Sequence, residues 1–331
     1  MPKLHRYLSW FIIGIFAVSL IKACGRDTKQ QSATDTQLSP SECQEIQHQL
    51  GETCVPTNPQ RIIVTDEIAL EMVLALGLKP IAAAEPNLVS SRSRHLAGKV
   101  DDVVSLGKQN QLSLERILQL NPDLILGSDS TLENNYERFS QIAPTVALDY
   151  VSNHHAWKAS FQRVGEILNR SQQAQQELED YQNRVEKLQR ALGDRLHKTK
   201  VSVVRSGADG EIEFRDSSSF PGSVLEDVEL PRPTVQQGNI NSDATYQKVS
   251  LERLDLLDGD VIFVAIDAGA SEVFTKFQQD TLWQKLEAVQ SDRVYTVDSG
   301  YWIFGNVLAA NAILDDLEKY LVDSTSVPPT P

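Results

Sequence analysis

The sequence predicts an α/β protein: two Rossmann-like lobes with mainly parallel sheets, joined by one long backbone α-helix. Three observations lead there. Short runs of Ile, Val and Leu alternate with helical patterns on both sides of the middle of the chain, the order that builds parallel sheets. A unit starting Ser113-Leu114-Glu115-Arg116-Ile117 recurs as Ser250-Leu251-Glu252-Arg253-Leu254, each time leading through a turn into a buried strand. Between the two copies lies an uninterrupted helical pattern.

That pattern runs from about residue 156 to 196. Trp157, Phe161, Val164, Ile167, Leu168, Leu178, Tyr181, Val185, Leu188 and Leu192 fall mostly at helical spacings of three and four. Gln, Glu, Arg and Lys fill the gaps and no proline intervenes. At about 1.5 Å per residue this makes a rod of about 60 Å. Gly165 and Gly193 are its weak points, and Gly193 suits its end. The heptad is too irregular for a plain coiled coil. A strut between two lobes fits the repeated unit on either side.

From the N-terminus, Lys3 and Arg6 precede an apolar run from Leu8 to Ile21, the size of a signal h-region and short for a membrane span. The run ends at Ile21-Lys22-Ala23-Cys24, which resembles a bacterial lipobox with Cys24 as the acylated residue; an ordinary signal peptide or an uncleaved anchor are the alternatives. Export follows from each. A polar stretch without core residues comes next and reads as a tether. The expected boundaries are a signal peptide over 1–23, a lipid-anchored tether over 24–50, an N-terminal lobe over 51–155, the linking helix over 156–196, a C-terminal lobe over 197–322 and a disordered tail over 323–331.

Within the lobes, Arg61 to Thr65 reads as a buried strand, Ile68 to Leu76 as a helix stopped by Gly77, and Pro80 to Ala84 as a second strand. The second lobe repeats the theme with strands over Val201–Val204, Glu211–Phe214 and Val294–Val297 and a closing helix over Val307–Leu321. Ligands of such sheets sit outside the carboxyl ends of the strands.

The formal charge is −14; losing residues 1–23 removes Lys3, Arg6 and Lys22 and no acid, taking it to about −17. A surface this acidic, with no basic stripe, excludes nucleic acid as a partner. With Cys24 assigned to lipid, Cys43 and Cys54 remain as a disulfide pair in an oxidising compartment; a metal site with His48 lacks a fourth ligand. No GxSxG, HExxH, P-loop or GxGxxG occurs. His154-His155 reads as surface loop, since adjacent side chains diverge. Carboxylates are abundant, yet none reads as sitting in an apolar setting, so no catalytic constellation or cofactor is expected.

Asn58-Pro59-Gln60-Arg61-Ile62-Ile63-Val64, the run Leu74 to Pro80 and the run Ser113 to Leu126 resemble the first lobe of the binding proteins for ferric siderophores and cobalamin. Ser219-Phe220-Pro221-Gly222-Ser223, the Ser250 unit, Tyr301-Trp302 and Asn311 to Leu317 are similar to the second. The resemblance covers roughly Gly51 to Leu321. It implies an extracytoplasmic, lipid-anchored monomer that is not an enzyme, captures a ferric siderophore between its lobes and delivers it to an ABC importer permease. It also implies that Glu115 and Glu252 dock to arginines of that permease, while an acid in a first helical turn also simply complements the helix dipole. Lys108, Arg205, Arg215, Tyr301, Trp302 and Arg92 are the implied ligand contacts, cations for the oxygen atoms around iron and aromatics for apolar arms. Cobalamin and haem are rival ligands, and an exported adhesion protein is the rival class.

Overall fold

The computed structural model describes residues 43–87, 93–150, 156–238 and 245–323. The expected signal peptide, Cys24, Arg92, the His154-His155 pair and the tail beyond Asp323 lie outside these residues.

The chain departs from the expected tether at Cys43. Strands β1 (Cys43–His48) and β2 (Gly51–Pro56) pair antiparallel as a hairpin, and Cys43 and Cys54 are disulfide-bonded with their Cα atoms 5.5 Å apart. Ile46 and Val55 are buried, and the Thr53 hydroxyl donates to the Thr145 carbonyl at 2.8 Å. Two apolar anchors and a covalent staple suffice where composition alone suggests a free segment. The His48 ring joins this seam, 3.0 Å from Thr53 Oγ1 and 3.3 Å from Tyr136 Oη.

The first lobe is a parallel sheet in the order β5-β4-β3-β6-β7, built from β3 (Ile62–Val64), β4 (Ala82–Glu85), β5 (Val104–Lys108), β6 (Leu124–Ser128) and β7 (Thr145–Leu148). Helix α1 (Glu67–Ala75) follows β3; the Asp66 carboxylate caps it by accepting from the Ala69 amide, and Gly77 closes it at φ 73°. Helix α2 (Leu114–Gln119) is capped by the Ser113 hydroxyl, which accepts from the Arg116 amide at 3.3 Å. Adjacent strand residues serve different layers. Ile62 and Val64 enter the cluster shared with the central helices, while Ile63 and Ile125 pack with Ile117 and Phe139 on the other face. Both faces are covered, hence strands read as continuous apolar runs.

The linking rod is not one helix. Helix α3 (Trp157–Ile167) ends, and helix α4 (Ser171–Leu192) begins after a break at 168–170, where Asn169 adopts φ 53°. A Cβ on Gly165 would lie 2.7 Å from the Ala174 Cβ, whereas residues nine apart in a straight helix are separated by about 13.5 Å. The chain therefore folds back on itself, and Gly165 permits the close approach. Helix α4 alone is about 33 Å long.

The second lobe orders its strands β10-β9-β8-β11-β12: β8 (Val201–Ser206), β9 (Ile212–Arg215), β10 (Tyr246–Val249), β11 (Val261–Ile266) and β12 (Val294–Asp298). Strands β8, β11 and β12 are parallel, and β9 runs antiparallel to β8 and β10. Helix α5 (Phe220–Asp227) carries its Ser219 cap. The second copy of the repeated unit differs from the first: Leu251–Leu257 is a 3-10 helix kinked at Arg253, with no capping bond from Ser250. Helix α6 (Val307–Leu317) closes the lobe.

The central helices bind both lobes. Trp157 Nε1 donates to Ser223 Oγ at 3.1 Å, Lys158 pairs with Asp227 at 2.5 Å, and Tyr181 Oη donates to the same carboxylate at 2.8 Å. Val64, Phe161, Val185, Val203, Phe263 and Leu314 belong to one continuous apolar cluster.

Candidate ligand-binding cleft

The carboxyl ends of the two sheets meet where the loop after β4 touches the loop after β12. Arg94 N–H donates to Asp298 Oδ2 at 3.2 Å, and Arg94 Nη2 donates to Tyr301 Oη at 2.8 Å. Ser93 N–H and Oγ donate to Glu67 Oε1 at 3.2 and 2.5 Å. A Cβ on Gly300 would fall 2.0 Å from Ser93 Oγ, so only glycine lets the loops close to this distance.

Glu71 of α1 sits at the centre of this junction, 1 % exposed. Its Oε2 accepts from the amides of Asn306 and Ala309, the first turn of α6 in the other lobe, at 2.9 and 3.2 Å. Its Oε1 lies 3.0 Å from His95 Nε2. A buried carboxylate of one lobe thus caps a helix of the other. Burial is the largest influence on His95 and lowers its pKa, but the carboxylates of Glu71, Glu67 and Asp298 together outweigh it and leave the pKa raised above 6.5. A proton held more tightly in the folded than in the unfolded state stabilises the fold at low pH. This contribution is complete below about pH 6.5 and is lost as pH rises through the folded value. Urea unfolding from pH 5.5 to 8.5 is expected to show falling stability across that window, and His95→Gln is expected to flatten it; an equal slope in the variant would assign the dependence elsewhere.

Tyr301 and Trp302 do not line a cleft. Both side chains are buried, with Tyr301 Oη and Trp302 Nε1 donating to Asp316 Oδ2 at 2.7 and 2.8 Å. The Trp302 ring stacks on Phe263 at 4.7 Å. Burial and the Asp316 carboxylate raise the Tyr301 pKa and keep its phenol protonated. Gly300 packs against Ser93 of the other lobe and Gly305 against Ala309 and Phe220 of its own, so both mark close packing, not an open loop.

The cations of the second lobe are brought together. Arg205 of β8 faces Glu213 of β9 across the ladder. Its Nη1 lies 3.1 Å from Glu213 Oε1, and its Nε and Nη2 reach Asp267 at 3.0 and 2.5 Å. Arg215 Nη2 shares Glu213 at 2.8 Å. Burial lowers the Arg215 pKa to about 10; for Arg205, Asp267 and Glu213 outweigh burial and raise it. In the first lobe Lys108 ends β5, donating to the Pro86 carbonyl at 2.9 Å, 3.8 Å from Glu85. It is half-exposed at a carboxyl edge, where the sequence places it. Asp66, buried just after β3, accepts from the Ser128 amide and from Tyr150 Oη at 2.8 and 2.6 Å; burial raises its pKa despite these bonds. Asp66 and Glu71 both correct the reading that no carboxylate has an apolar setting.

Glu115 and Glu252 are exposed. Glu115 accepts from Gln119 Nε2 at 3.2 Å. A hydrogen bond from the Ser250 side chain, with a smaller backbone contribution, lowers the Glu252 pKa, so Ser250 orients the carboxylate in place of capping a helix.

The model of a family described as periplasmic binding protein matches residues 62–301. The chain is similar to the probable siderophore-binding lipoprotein YfiY of Bacillus subtilis, 30 % identical over 329 residues, covering 96 % of this chain and 99 % of the relative. It is also similar to the achromobactin-binding periplasmic protein of Dickeya dadantii, 30 % identical over 269 residues and covering 79 % and 86 % of the two chains. The structure of Staphylococcus aureus SirA complexed with staphyloferrin B superposes with a TM-score of 0.73 at 25 % identity, over 84 % of this chain and 98 % of that one.

Proposed function

The chain belongs to the periplasmic binding protein family, and from that premise we propose that it captures an iron(III)–siderophore between its lobes and delivers it to the permease of an ABC importer. The observation that carries the proposal is that the lobes meet through the loops following the carboxyl ends of β4 and β12, with Lys108 at the carboxyl end of β5 in one sheet and Arg205 near that of β8 in the other. Cations from both lobes suit the oxygen atoms that surround chelated iron. The family is one of binding proteins, and no catalytic role is assigned to any residue. Haem is disfavoured because Tyr301, the candidate axial ligand, is buried and bonded to Asp316. Titration of the purified mature protein with a panel of ferric siderophores and with cobalamin, followed by calorimetry, tests the reading. Saturable binding of a ferric chelate supports it; binding of cobalamin alone, or of nothing, refutes it.

Residues named as lipoprotein signals also belong to this proposal. Among the described residues no helix is long and apolar enough to cross a membrane, and the relatives include named lipoproteins. Cys24 is the acylated residue of a monomeric, extracytoplasmic protein. A Cys24→Ser variant is expected to move from the detergent phase to the aqueous phase on partitioning, and its retention in detergent would refute the anchor.

A further inference from the structure

A buried imidazole sits between acidic groups of both lobes. We propose that His95 is a proton-operated latch. Its protonated ring holds the loop after β4 and helix α1 against the end of β12 and the start of α6, and loss of the proton lets the lobes part there while each stays folded. The latch acts whichever ligand the cleft takes, and it makes external pH a control on how freely the lobes move.

Each element packed at the junction brings charge to it. Helix α1 contributes Glu67 and Glu71 from the first lobe, and the end of β12 contributes Asp298 from the second. His95 Nε2 lies 3.0 Å from Glu71 Oε1, with the two side chains only 7 % and 1 % exposed. Burial opposes a charge on the ring, and the carboxylates of Glu71, Glu67 and Asp298 outweigh it. The Tyr301 ring of the second lobe stands edge-on to the imidazole, centroids 5.2 Å apart. Arg94 is the second cation; its guanidinium donates to Tyr301 Oη and lies toward Asp316 and Asp298.

Losing the proton changes charge and not connectivity. His95 Nδ1 is buried without a partner, so the neutral ring keeps its hydrogen on Nε2, where Glu71 accepts it. The opposite tautomer would set a lone pair against the carboxylate. In the cation the unpartnered Nδ1–H is itself unfavourable, so the ring remains titratable and is not a fixed charge. Once it is neutral, Glu67 and Glu71 of one lobe face Asp298 of the other without the imidazolium between them. Like charges repel more strongly in such a water-poor gap than in solution. The strain falls on the contacts that span the lobes: the Asn306 and Ala309 amides on Glu71, and the Arg94 amide on Asp298. The latch is therefore complete below about pH 6.5 and is lost as pH rises through the raised folded value.

Amide hydrogen exchange on the mature protein tests the latch, with each rate divided by its intrinsic rate at that pH. Asn306 and Ala309 report the junction, and the amides of β11, paired on both sides, report unfolding of the whole molecule. The junction amides are expected to exchange at least about tenfold faster than β11, because they open locally. From pH 5.5 to 8.5 their exchange is expected to rise at least about fivefold, the lower end of ordinary coupling between two sites. His95→Gln keeps a neutral donor and is expected to exchange at pH 5.5 as fast as wild type does at pH 8.5, with no further rise. Asp298→Asn keeps the Oδ1 that accepts from the Gly300 amide and removes the facing charge; its pH response is expected to shrink to about twofold or less. Junction amides that exchange no faster than β11 at any pH would show that the lobes part only on global unfolding, which overturns the latch. A pH response that is absent in wild type, or that persists in full in either variant, overturns it as well.

Discussion

Replacing Glu71 with alanine is expected to lower folding stability by about 3 to 5 kcal/mol, the range for removing one partner from a buried charged contact. Three donors would lose their acceptor together: the amides of Asn306 and Ala309 and Nε2 of His95. The site is 1 % exposed, so water cannot take over without opening the junction. Glu71→Gln keeps one acceptor oxygen and is expected to recover part of the loss. The damage should also be directional, since Glu71 and the helix it caps belong to different lobes. Urea denaturation read by linear extrapolation gives the magnitude. A loss below about 1 kcal/mol would show that the contact is replaceable and does not hold the lobes together.

Much of this architecture was readable from pattern. Strand runs such as Ile62-Ile63-Val64 and Val261-Ile262-Phe263 are apolar at every position because both sheet faces are covered. The repeated Ser-Leu-Glu-Arg unit marked a second lobe without reference to any three-dimensional information. Helical periodicity, by contrast, is blind to direction. The spacing of three and four continues through Leu168 even though Asn169 turns the chain at φ 53°, and only Gly165 hinted that two segments approach. The cations Arg205 and Arg215 were legible as strand-end charges. Their partners Glu213 and Asp267 were not, because the ladder register that aligns them is a tertiary property. Glu71 did leave a signal: an acid flanked by Leu70, Met72 and Val73 in a helix that is apolar at every position after Glu67 but this one. Read as a surface charge it is unremarkable; read as a buried acid it demands donors, and the fold supplies them from the opposite lobe.

Replacing both Glu115 and Glu252 with alanine is expected to reduce siderophore uptake in cells by about tenfold or more while leaving ligand affinity within about twofold of wild type. Both carboxylates are exposed, and neither belongs to the Arg205, Arg215 or Lys108 contacts, so the cleft has no reason to respond. The acid at 252 is exposed and, like any solvated carboxylate, ionised in the neutral range; a hydrogen bond from Ser250 lowers its pKa further. A permease arginine meeting either carboxylate would lose its counter-charge on substitution, in a contact partly shielded from water. The two copies differ in backbone, an α-helix capped by Ser113 against a kinked 3-10 helix. The carboxylates are therefore held in different settings, by Gln119 in one lobe and by Ser250 in the other. For that reason each single substitution is expected to impair transport, since neither site reproduces the geometry of the other. Transport of radiolabelled ferric chelate into cells, set beside calorimetry on the same purified variants, separates the two roles. Normal uptake by the double variant would reduce both glutamates to helix-dipole partners, and a large fall in ligand affinity would place them in the cleft instead of on the docking face.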